Sequence, residues 1–181
     1  MDRINYEISI YMEKYNEKKF RYNYRKKWDE NKKIIAILFN PSKATLTQND
    51  KTTDFLTEFF MSKGYGELII INLFAFMCSK SEKISDTEEQ FEYKNWEYVL
   101  KYLDSNLKND SEKDFFIGWG ANISSIKDDK AKEIIKNKKK KIRSLLKNSN
   151  FRDNVYCFKS KNNKELHPSK YRFEWQYIKR F

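Results

Sequence analysis

The stretch Ile34-Ile35-Ala36-Ile37-Leu38-Phe39-Asn40-Pro41 decides how the chain is read. Its apolar run is unbroken, the pattern of a strand covered on both faces. It stops abruptly at Asn-Pro, because proline has no N–H to donate and pushes the residue before it out of the helical region. Downstream, Leu68 to Phe74, Phe115-Phe116-Ile117 and Val155-Tyr156-Cys157-Phe158 repeat the pattern as a second, third and fourth strand. Helices are predicted between them. Thr53 is read as the cap of the first, with Phe55, Leu56, Phe59 and Phe60 on one face and Gly64 as its stop. Ser85-Asp86-Thr87-Glu88 reads as a capping box for the second, with Trp96, Val99, Leu100, Leu103 and Leu107 on its stripe. Residues 121–148 read as one or two helices, and the last thirteen residues as a terminal helix. Upstream, residues 3–12 and 20–28 partly alternate and are rich in aromatic and β-branched residues, which favours a hairpin or edge addition within 1–30. The expectation is a single α/β domain over 1–181. It has three α/β/α layers around a central four-stranded parallel sheet with right-handed crossovers, plus the N-terminal strands.

The composition sharpens this. Average usage for 181 residues would supply about 13 Gly and about 9 Pro, and the chain has 4 and 2. All six fall in short clusters: Asn40-Pro41-Ser42, Gly64-Tyr65-Gly66, Gly118-Trp119-Gly120 and His167-Pro168-Ser169, the last holding the only histidine. Collagen-like and linker classes are excluded, and two cysteines exclude a disulfide scaffold. The net charge of +11 points to a polyanion, nucleic acid first, and aromatics interleaved with cations can stack on bases. The competing account is AT-biased coding, which also floods a chain with Lys, Asn and Ile. The longest nearly apolar run, Leu68 to Cys78, is too short to span a bilayer and contains Asn72. The amino terminus is interrupted by Asp2, Arg3 and Glu7, unlike a signal peptide. A reducing cytoplasm is expected.

In open parallel sheets, ligands bind outside the carboxyl ends of the strands. Asn40-Pro41-Ser42, Asn72-Leu73-Phe74, Gly118-Trp119-Gly120 and His167-Pro168-Ser169 all fall at those ends. Each has a plain structural reading beside a functional one. Asn40 is either part of a β-turn or an amide held rigidly to position water. Asn72 interrupts an apolar run, and an unsatisfied buried amide costs roughly 1–3 kcal/mol. It either pairs with a neighbouring loop or faces a pocket and reads a base edge. His167 is a bystander or a donor to a developing oxyanion, and backbone amides near 168–170 suit a phosphate. Gly118-Trp119-Gly120 is a strand stop with a packing indole or a site wall. The run Lys136 to Arg143 is a solvated helix face or a phosphate-contacting surface. Cys78 and Cys157 read as small buried hydrophobes. With His167 they show no metal-ligand spacing, so no metal and no cofactor is expected.

Taken in order, these pieces resemble the uracil-DNA glycosylase superfamily. Its members carry Asp-Pro or Asn-Pro after strand one, Asn ending strand two, Trp-Gly after strand three and His-Pro-Ser after strand four. The chain also resembles, over nearly its full length, a bacterial family described only as a domain of unknown function. The shared pattern is Arg21-Tyr22, Trp28, Asn40-Pro41-Ser42, Asn72-Leu73-Phe74-Ala75, Trp119-Gly120 and His167-Pro168. The glycosylase resemblance implies a protein that flips a modified pyrimidine out of DNA and hydrolyses its N-glycosidic bond. In that scheme Asn40 positions the water and His167 stabilises the departing base, while Asp50 is a candidate for the carboxylate that the Asn-Pro branch lacks. Asn72 reads the base edge, Phe39 or Phe74 stacks on the ring, and Pro41, Ser42 and Trp119 complete the pocket. Lys43, Ser169, Lys170, Tyr171 and Arg172 are the expected DNA contacts.

Two departures qualify the resemblance. Ser42 stands where the uracil-specific branch has a bulky Tyr, which implies a pocket open to 5-substituted bases such as hypermodified phage cytosine. Lys170 replaces a second proline after His-Pro-Ser, which leaves the wedge residue open. Branches with an iron–sulfur cluster need four cysteines and are excluded. The expected partner is DNA, engaged by a monomer in repair or phage defence. The alternatives are a non-catalytic nucleic-acid-binding module on the same fold and an enzyme processing nucleotides or nucleosides.

Overall fold

Seven strands form one sheet in the computed structural model, which describes residues 5–47, 50–78, 87–109, 112–120, 123, 126–170 and 176–179. They are β1 (Glu7–Tyr15), β2 (Lys18–Lys27), β3 (Lys33–Leu38), β4 (Glu67–Asn72), β5 (Lys113–Ile117), β6 (Val155–Lys159) and β7 (Gln176–Lys179). Helices α1 (Lys51–Met61), α2 (Glu89–Lys108) and α3 (Asp129–Lys147) connect β3 to β4, β4 to β5 and β5 to β6. The sheet order is β1-β2-β4-β3-β5-β6-β7. The four expected strands lie side by side and parallel, β4 and β5 flanking β3, with β6 beside β5.

The continuous apolar runs follow from burial on both faces. Ile35, Ile37, Ile69, Ile71, Phe115 and Ile117 pack under α2 and α3 with Val99, Leu103, Ile135 and Ile142. Ile34, Ala36, Leu38, Leu68, Ile70 and Phe116 pack under α1 with Leu56 and Phe60. The chain therefore has helices on both faces of the sheet. Its switch point lies between β3 and β5, whose following helices lie on opposite faces.

The N-terminal hairpin forms as expected, turned by Asn16 and Glu17 at φ 43° and 63°, the left-handed pair that two-residue hairpins favour. β2 pairs antiparallel with β4, so the hairpin covers that edge. It contains a bulge. Tyr11 faces Asn23 and Met12 faces Arg21, leaving Tyr22 as the extra residue. Tyr22 and Asn23 consequently both lie against Tyr98 of α2, whereas Arg21 and Tyr24 lie on the α1 side.

Three sequence expectations change. Within the expected terminal helix, Gln176–Lys179 is a strand antiparallel to β6, with Tyr177 packed toward one layer and Ile178 toward the other; residues 171–175 and 180–181 lie outside the described residues. It covers an edge that β6 would otherwise expose. The cap of α1 is Asp50 rather than Thr53. The Asp50 carboxylate accepts from Thr53 N at 2.8 Å, so Thr53 receives the cap instead of providing it. Helix α2 begins at Glu89 with no side-chain cap bond, and Ser85 and Asp86 of the expected capping box lie outside the described residues.

Candidate active site at the carboxyl rim of the sheet

Strand pairing continues past the named strands at their carboxyl ends. Leu73 N donates to Leu38 O, Phe74 N to Phe39 O and Gly118 N to Ile37 O. The four motif loops emerge from this shared rim. A Cβ on Gly118 would lie 2.6 Å from Leu38 Cδ2 and 3.2 Å from Pro168 Cδ, so no larger residue fits there unshifted. Gly120 has φ +73°, and a Cβ there would meet His167 Cβ at 3.4 Å. The loop after β5 is thus the surface on which the His-Pro-Ser loop rests.

Asn40 ties two other loops together. Its amide nitrogen donates to Cys78 O at 2.7 Å and Pro41 O at 3.1 Å, and Cys78 N donates back to Pro41 O. Its amide oxygen accepts no hydrogen bond among the described residues, so it is available to a water. His167 is half-buried; its Nδ1 accepts from Ser169 N at 3.2 Å and lies 2.8 Å from Ser169 Oγ. An Nδ1 that accepts leaves the proton of the neutral ring on Nε2, which makes Nε2 a donor.

Asn72 is fully buried, and neither of its side-chain polar atoms has a partner among the described residues. Alternation along β4 puts its side chain on the α1 face, with Ile70 and with its register partner Leu38. Two more incompletely paired side chains lie on that face. Arg21, 2 % exposed, donates from Nη1 to Ala44 O at 3.0 Å, while its Nε has no partner. The guanidinium lies 5.4 Å from the ring of Tyr24, whose buried hydroxyl is likewise unpartnered. Burial lowers Arg21 to about 10, against the pull of the nearby Asp50 carboxylate, so it stays charged at neutral pH. Burial also pushes Tyr24 up to about 12.

The opposite face of the rim is built by α3. Lys138 and Lys139 lie within the run read as solvated, yet both are buried. Lys138 Nζ donates to Leu73 O at 2.8 Å and lies 4.2 Å from the ring centre of Phe74. Lys139 Nζ donates to Gly120 O at 2.7 Å, between the rings of Phe39 and Trp119. Desolvation lowers each amine to about 8. One turn on, Arg143 pairs with Glu165 at 2.7 Å, and the same carboxylate accepts from Trp119 Nε1 at 2.8 Å. The buried Glu92 carboxylate accepts from Ala75 N and Phe76 N and so fixes the loop after β4.

The expected site residues therefore divide. Asn40, Asn72, Trp119 and His167 all stand on the carboxyl rim. Phe39 and Phe74 pack against each other at 5.4 Å in the α2/α3 layer, across the sheet from the Asn72 amide. Pro41 is buried, whereas Ser42 and Lys43 line a separate groove of about 380 Å³ with Lys18, Lys19, Phe76 and Met77. Asp50 uses one oxygen for Thr53 N and the other for Ala44 N. Ser169 orients His167; the Lys170 side chain, Tyr171 and Arg172 lie outside what is described. The sequence reading missed Tyr24, Lys138, Lys139, Glu92 and Glu165 as site-building residues, and gave Arg21 only as part of a pattern. Among the described residues, no group of three or more His, Cys, Asp or Glu is placed to hold a metal, and no helix is long and apolar enough to cross a membrane.

A family model described as "Protein of unknown function (DUF1643)" matches residues 21–169. No curated protein and no solved structure matches the chain.

Proposed function

The chain belongs to the DUF1643 family, and from that starting point we propose that it is a DNA glycosylase excising a modified, pyrimidine-like base. The observation that carries this reading is Asn72, an amide buried completely at a parallel strand's carboxyl end with donor and acceptor both unspent. An amide pairs with a ring edge that offers one N–H and one carbonyl, or a ring nitrogen and an amine. Buried polar atoms are normally paired, and a base edge would pair these.

In the proposed reaction the target nucleotide leaves the stack at a cost of a few kcal/mol. Asn72 holds the base. The C1′–N bond breaks with its electrons passing to the base, and His167 Nε2–H donates to the oxygen where that charge accumulates. The Asn40 amide oxygen orients the water that adds to C1′, and the proton this water sheds passes through solvent to the departed base anion. Asp50 acts at a distance, by holding the loop between Ala44 and α1 in place. No carboxylate activates the water, so the rate depends on how readily the base departs.

Alkali-labile sites in DNA carrying uracil, 5-substituted uracil or modified cytosine are the direct readout. His167→Ala and Asn40→Ala are each expected to lower turnover at least about 100-fold while leaving DNA affinity and the unfolding midpoint near wild type. Tight, salt-dependent DNA binding without cleavage of any modified substrate would replace this reading with that of a non-catalytic binding module. Loss of folding in both variants would make the two residues structural.

A further inference from the structure

We infer that Arg21 and Tyr24 join Asn72 in one buried polar cluster that selects a base carrying an oxygen-bearing substituent, such as a hydroxymethyl or carboxyl group on a pyrimidine ring. The inference rests on the base-excision reading for the nature of the ring; the polar cluster stands independently of it. Three neighbouring side chains on one face of the sheet, each at least nine-tenths buried, hold four polar atoms with no partner among the described residues: Asn72 Nδ2 and Oδ1, Arg21 Nε and Tyr24 Oη. Such groups lower stability unless something pairs with them. Hydrogen-bonding inventory indicates what that is. Asn72 satisfies one donor–acceptor edge of a ring. The remaining atoms are an N–H that can only donate and a hydroxyl that can donate, so the ligand must bring at least one further acceptor.

Charge narrows the choice. Arg21 is a buried guanidinium with one hydrogen bond, to a neutral carbonyl. Its nearest acidic influence, Asp50, has both oxygens engaged by backbone amides. A substituent oxygen with negative or strongly polar character therefore gains more at this end of the cluster than a methyl group does, since charge-assisted hydrogen bonds are the stronger kind. Tyr24 adds a second donor, and its ring centre lies 5.4 Å from the guanidinium carbon of Arg21.

Calorimetric titration of the full chain with four free bases tests this: uracil, thymine, 5-hydroxymethyluracil and 5-carboxyuracil. The two oxygen-bearing bases are expected to bind at least tenfold more tightly than the other two. Tyr24→Phe and Arg21→Lys should each remove most of that preference, read as the ratio of oxygen-bearing to plain-base affinity. Tyr24→Phe should also unfold at or above the wild-type temperature, because it deletes an unpartnered hydroxyl; that keeps the test valid should Arg21→Lys not fold. A flat series, no binding of any base, or equal weakening across the series in both variants overturns the inference. So does a lower melting temperature in Tyr24→Phe with the preference intact, which would mean the hydroxyl is satisfied by buried water. Excision of bases from DNA with a flat series removes this inference and leaves the glycosylase reading. A discriminating series without excision does the reverse.

Discussion

Lys138 and Lys139 are consecutive residues of α3, yet each amine reaches a different strand-end loop, one Leu73 O and the other Gly120 O. Both amines are lowered to about 8 by desolvation, whereas an unfolded lysine titrates near 10.4. Between those values the unfolded chain binds more protons than the folded one, so stability rises with pH. The burial penalty is complete below about pH 8 and fades toward pH 10.5. Urea unfolding from pH 7.5 to 9.5 should show a gain on the order of 1–2 kcal/mol per lysine, flattened one lysine at a time in Lys138→Met and Lys139→Met. Above that window the raised tyrosines, Tyr24 among them, act in the opposite direction, because the unfolded chain ionises them first. The charges of Lys136 to Arg143 obscured this. Helical geometry places Lys138 and Lys139 beside the core positions Ile135 and Ile142, but a lysine gives no sequence sign that its stem and head will be covered by rings from three loops.

At the scale of elements, the N-terminal turn of α1 joins fold to site. Asp50 caps that turn, holds Ala44 N and is the acidic neighbour of Arg21. Asp50→Ala should lose about 1–2 kcal/mol for the cap, with more lost because Arg21 keeps its charge without a counter-charge. Asp50→Asn retains a capping oxygen and should recover most of the cap's share in denaturant titrations. If Asp50→Asn instead unfolds like wild type but abolishes excision, the carboxylate takes part in the chemistry and the positioning role assigned above is wrong. The four parallel strands and the rim were legible because uninterrupted apolar runs and Gly/Pro clusters mark strands buried on both faces and their ends. The terminal strand was not legible: four residues, Gln176–Lys179, carry too short a pattern, and only the open edge of β6 makes them extended. Asp50 was legible as a candidate carboxylate but not as the cap, since Thr53 offered an equally good capping side chain nearby.

Across the whole molecule, the two glycines after β5 link one half of the sheet to the other. Gly118→Ala would press on Leu38, Phe116 and Pro168 at once and should cost about 1–3 kcal/mol as an overpacked core site. Because Pro168 directly follows His167, the proposed base excision should slow in this variant further than the lost stability explains, measured at a temperature where it remains folded. That Asn40, Asn72 and His167 stand on one rim was legible because four marked strand ends share it. Which face of the sheet each side chain enters was not, and the bulge at Tyr22 shows why. Were the bulge flattened at unchanged length, simple alternation from Tyr24 would send Arg21 to the α2 side. Edge hairpins ordinarily tolerate changes in length, and this one lies at the margin of the sheet. Here the bulge, not the length of the hairpin, sets the face of the guanidinium: deleting Tyr22 would leave Arg21 two residues before Tyr24 and on the same side, whereas flattening the bulge at unchanged length would turn the guanidinium away from Asn72. Relatives that keep the residue count here but lose the bulge should therefore present a different side chain beside Asn72, even with identical strand-end motifs.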